Sequence, residues 1–107
     1  MQLLPARIFL LWFTTVPLLL AADASAGKVA YDRECKRCHG ADGAPNAAIA
    51  KALKVEMKHL ADKTVLAKSD SQLAKESKDG VGKMKAQKIT DAEAADIVAY
   101  IRTFPPR

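Results

Sequence analysis

One short stretch, CKRCHG at Cys35–Gly40, constrains this chain more than any other feature. Two cysteines stand three residues apart and a histidine follows at once. Three chemistries use such a cluster. A thiol–disulfide motif of this spacing sits beside alternating strands and helices. Here β-branched runs and apolar–polar alternation are nearly absent, so few strands are expected. A structural zinc site needs four ligands. The chain holds two Cys and two His in total, and the adjacent Cys38 and His39 are poorly placed to reach one tetrahedral ion together.

The third chemistry is covalent haem attachment, for which Cys-x-x-Cys-His is the known pattern. On a helical turn, Cys35 and Cys38 lie on one side and reach two vinyl groups of one porphyrin through thioethers. His39 follows directly and is placed to ligate the iron. The expected cofactor is therefore one haem c, with Cys35, Cys38 and His39 as its binding residues.

The start of the chain agrees with this. MQLLPARIFLLWFTTVPLLLAADASA carries one early charge, Arg7, before a mostly apolar run from Ile8 to Ala22. That run is shorter than the roughly 20 residues of a membrane span and contains Thr14, Thr15 and Pro17. Two overlapping small-residue sites follow, Ala22-Asp23-Ala24 and Ala24-Ser25-Ala26. Residues 1–26 thus read as a secretory signal peptide and residues 27–107 as the mature domain. Export suits haem c, which is attached outside the cytoplasm. Cleavage removes Phe9, Trp12 and Phe13 and leaves Tyr31, Tyr100 and Phe104 as the aromatics. So small a core calls for a staple such as a bound cofactor.

The fold class expected is all-α, with three to five short helices joined by long loops. A first helix over about Lys28–Cys38 places Tyr31, Cys35 and Cys38 on one face. Gly40, Gly43 and Pro45 break the chain after it. Ala47–Leu53 forms a short helix, and the stretch that follows to Lys68 is ambiguous. Ser69 with Gln72 marks a capped helix over about Asp70–Lys78, with Ser77 where an apolar residue is expected. Gly80–Lys88 reads as a flexible loop. Thr90 with Glu93 forms a capping box for the last helix, whose inward face is Ala94, Ile97, Ile101 and Phe104.

Function turns on the iron's other axial position. Met84 is the leading candidate, because it sits in GVGKMKAQK rather than on an apolar helical stripe. Thioether sulfur is a soft ligand, and Met/His ligation raises the reduction potential. His59 and Met57 stay open as alternatives. The expected metal ligands are therefore His39 and Met84. With both axial positions filled, no open site remains for a substrate, and no catalytic residue is assigned.

The whole mature segment resembles the class I c-type cytochromes, notably the small soluble bacterial monohaem type. The resemblance rests on GKVAYDRECKRCHGADG, on GKM before a capped last helix, and on TDAEAADIVAYIRTF. It implies the cytochrome c fold, wrapped around one haem, with Gly27 and Tyr31 packed against Ile97, Tyr100 and Ile101 of the C-terminal helix. It implies a haem edge exposed near the thioethers. It also implies a proline carbonyl that accepts from the ligand histidine, for which Pro45 is the candidate. The family often has proline after the distal Met, whereas this chain has Lys85.

These readings converge on a soluble periplasmic one-electron carrier, not an enzyme. Leu53, Leu60, Ile97 and Ile101 are expected to keep water off the iron. The chain's formal charge is +5, spread along it without the basic stripes of a nucleic-acid binder. Lys36, Arg37, Lys83 and Lys85 flank the ligand segments and are expected to steer redox partners with acidic docking faces. The carrier is expected to be a monomer without stable membrane insertion once the signal is removed. The rivals are a five-coordinate peroxidase or gas sensor, a haem subunit of a membrane complex, and a thiol oxidoreductase.

Overall fold

A computed structural model describes residues 2–3, 11–12 and 21–107. The apolar run of the expected signal peptide lies almost wholly outside these residues. The described chain forms six helices: α1 (Ala24–Glu34), α2 (Lys36–His39), α3 (Ala47–Leu53), α4 (Lys63–Leu66), α5 (Asp70–Asp79) and α6 (Asp91–Ile101). No strand occurs among the described residues beyond one isolated bridge, Val81–Met84. No helix among them is long and apolar enough to cross a membrane.

The first helix differs from the expectation at both ends. It begins at Ala24, because the Asp23 carboxylate accepts from the Ser25 and Ala26 N–H groups and caps it. It breaks at Cys35, whose φ of −115° departs from helical geometry. The Cys35–His39 stretch therefore forms its own short turn, α2, rather than the tail of α1.

The last helix is capped as expected. Thr90 Oγ1 accepts from the Glu93 N–H, and Glu93 accepts in return from the Thr90 N–H. α5 has only half of that device. Ser69 caps it by accepting from Gln72, but the Gln72 side chain turns to Glu76 instead. Ser77 is tolerated on its apolar side because its hydroxyl donates to the Leu73 carbonyl at 2.7 Å.

The core lies where α1 crosses α6. Tyr31 and Ile97 are fully buried at its centre, with Ala30, Cys35, Ala61, Ile89, Ala94, Ile101 and Phe104 around them. Tyr31, Tyr100 and Phe104 pack edge to face in a closed trio, with centroids 5.1–5.7 Å apart. Arg102 joins the far end of α6 to the α4–α5 corner. It donates to the carbonyls of Leu66 and Lys68 and to the Asp70 carboxylate.

Candidate functional site

The Cys35–Gly40 turn is held by its own backbone. The N–H groups of Cys38 and His39 both donate to the Cys35 carbonyl, at 3.2 and 3.0 Å. One turn therefore separates the two sulfur atoms, and both thiols are free. Cys35 is buried and Cys38 half-buried. Burial pushes the Cys35 thiol up to about 11, so it stays protonated at neutral pH.

His39 closes α2 and is half-buried. Burial pushes its imidazole below the ordinary histidine range, which favours the neutral ring with a free lone pair. Its Nδ1 is buried and has no hydrogen-bond partner. Pro45, the candidate acceptor for that nitrogen, makes no such bond.

Met84 sits on a separate element. The Val81 N–H donates to the Met84 carbonyl at 3.0 Å, and the Met84 N–H returns the bond at 2.9 Å. Gly82 takes φ +57° while Lys83 keeps a negative φ, the sign pattern of a type II′ turn. The expected flexible loop is thus a tight hairpin at its start. Gly80, at φ +83°, lies so close beneath Met84 and Ala86 that no side chain fits there. Lys83 Nζ donates to the Leu53 carbonyl at 2.7 Å and ties the hairpin to the end of α3. These bonds brace the hairpin although Lys85, not proline, follows Met84. No hydrogen bond among the described residues joins this hairpin to the Cys35–Gly40 turn.

His59 is less suited to the iron. Its Nδ1 accepts from the Ala61 N–H at 2.9 Å, so the ring proton sits on Nε2, itself buried without a partner. A protonated nitrogen has no lone pair for a metal. Met57 lies half-buried in the segment between α3 and α4.

The residues present fit a large, flat apolar group. α2, α3 and α4 contribute no buried residue. Leu53 is 40% and Val81 51% exposed, on the two segments that Lys83 ties together. Leu53, expected as packing, is thus exposed, whereas Ile97 and Ile101 are buried and Leu60 is half-buried. The chain is closed on its α1–α6 side and incomplete on the other.

Lys36, Arg37, Lys83 and Lys85 are all exposed, and none is in an ion pair among the described residues. Two contacts escaped the sequence reading. One is the Lys83–Leu53 bond, which depends on where two distant segments meet. The other is a bond from the Tyr31 hydroxyl to the haem turn. Its only sequence signal is a tyrosine where phenylalanine would pack equally well.

A family model described as Cytochrome c matches residues 24–105 of the chain. A search of curated proteins found no match.

Proposed function

Because this chain belongs to the cytochrome c family, which binds covalently attached haem c, we propose that it is an exported periplasmic one-electron carrier with His39 and Met84 as its axial ligands. The observation that carries the reading is the Cys35–His39 turn: two free thiols one turn apart, beside a neutral, half-buried imidazole. Cys35 and Cys38 are the thioether anchors. Haem supplies a one-electron couple at its iron.

The chain's own residues do the rest. His39 and Met84 would hold the iron between them and leave it no open position for a substrate. The Val81–Met84 hairpin, braced by Lys83 and Gly80, holds the sulfur in place. The His59 tautomer argues against its competing for the iron. Lys36, Arg37 and Lys85 stand free in solvent, and their unpaired charges steer acidic partners toward the exposed side. Lys83 keeps its charge in that field while its ammonium also donates to the Leu53 carbonyl.

Redox titration with optical spectra, wild type beside Met84→Ala, tests the reading. The wild type should show a stable low-spin six-coordinate spectrum, and the variant should lose it and bind carbon monoxide when reduced. Carbon monoxide binding by the reduced wild type at neutral pH would instead identify an open-site haem protein.

A further inference from the structure

We propose that the Tyr31 hydroxyl is a positioning group for His39, acting through the backbone of the haem turn. This rests on His39 being the iron ligand, as proposed above.

Accounting for the turn's carbonyls leads to Tyr31. The Cys35 carbonyl accepts from Cys38 and His39, and the Lys36 carbonyl from the Gly40 N–H. The Arg37 carbonyl accepts from the Asn46 side chain, and the Cys38 carbonyl from the Asn46 N–H. Two carbonyls remain, those of His39 and Gly40. The Tyr31 hydroxyl donates its one proton to Gly40 at 2.6 Å and lies 3.3 Å from the His39 carbonyl, which shares it only weakly. A helix end leaves such groups without internal partners, and leaving them buried and unpaired is costly.

The hook is rigid at both ends. Tyr31 has no exposed surface, and its ring is wedged between Tyr100 and Phe104. Gly40 takes φ +70° and lies against the Ala44 carbonyl, where no side chain fits. The α1–α6 core thereby dictates where the peptide carrying His39 sits. Removing the hydroxyl frees that peptide and leaves the Gly40 carbonyl oxygen without its donor. Its negative end would favour ferric iron.

The test compares Tyr31→Phe with Tyr100→Phe in the haem-loaded protein. Tyr31→Phe should shift the midpoint potential downward and displace the hyperfine-shifted His39 ring signals of the ferric protein. Tyr100→Phe, which removes a hydroxyl that holds no part of the turn, should leave both in place. In the wild type, the Tyr31 hydroxyl proton should exchange slowly and show coupling to the Gly40 carbonyl. That measurement decides the matter even if Tyr31→Phe does not fold. His39 signals and potential unchanged in Tyr31→Phe, with only a lower melting temperature, would make Tyr31 a packing residue. A hydroxyl proton exchanging at the solvent rate would overturn the proposal as well. A wild-type spectrum without His39 ring signals would instead remove His39 as the ligand, and this inference with it.

Discussion

Gly27 of α1 presses directly on the backbone of Asp96 in α6, with no room between them for even a methyl group. The contact lets the two helices cross closely enough for Tyr31 to reach its pocket. Gly27→Ala must push the helices apart or distort one of them. Overpacking of this kind costs about 1–3 kcal/mol. The denaturant midpoint should fall accordingly, with haem still attached. An unchanged midpoint would mean that the crossing is looser than described.

Two glycines near Met84 should behave differently. Gly80→Ala places a methyl against the Met84 and Ala86 backbone at a positive φ. It should dislodge the hairpin and abolish the sulfur–iron charge-transfer band of the ferric protein. Gly82→Ala meets nothing nearby. It carries only the cost of a positive φ for a residue with a side chain, and the band should survive. Optical spectra of the two variants separate these outcomes.

Lys54 ends α3 in the left-handed region, at φ +54°, the only such non-glycine among the described residues. Glycine takes this conformation without strain. Lys54→Gly should stabilise the protein by about 0.5–1 kcal/mol, after allowing for glycine's greater freedom when unfolded. Chemical denaturation measures it, and a loss of stability would contradict the cap assignment.

Glu93 is held below the usual carboxylate range, first by Arg33 of α1 and then by the Thr90 N–H. A depressed carboxylate favours the folded state above its unfolded pKa. That contribution fades as pH falls through the folded value, because the unfolded chain takes up the proton first. Arg33→Ala should therefore flatten the acid limb of the stability curve and leave the alkaline limb alone. The pair is largely solvent-exposed, so added salt should weaken the same effect.

Electron transfer to an acidic partner should slow as ionic strength rises. Lys36→Glu, Lys83→Glu and Lys85→Glu should each reduce that slope, and Lys83→Glu should also lose the bond to the Leu53 carbonyl. Stopped-flow rates across a salt series give the comparison. A flat or rising rate would remove the steering role.

Much of this was written locally in the chain. The Thr90–Glu93 box, the Ser69 cap and the inward stripe from Ala94 to Phe104 depend on neighbours three or four residues away, so spacing alone exposes them. The candidate attachment motif was legible for the same reason, since Cys35, Cys38 and His39 stand within five residues. The break at Cys35 was not legible, because apolar spacing continues through it. Neither was the hairpin at Val81–Met84, where Gly80 and Gly82 read as freedom but serve a tight turn.

The sequence by itself determined the helical class, the capped C-terminal helix and the close spacing of Cys35, Cys38 and His39. Each arises from interactions within a few residues, whose geometry the backbone dictates. Tertiary structure decided which proton His59 carries, which carbonyl Lys83 serves and what the Tyr31 hydroxyl holds. Those outcomes join residues 2, 30 and 8–9 positions apart in the chain. Even the nearest of them depends on a fold in loop or turn that no periodicity encodes. A hydrogen bond is set by ångström-scale placement of both partners, and that placement exists only once α1, α6 and the loops between them have packed.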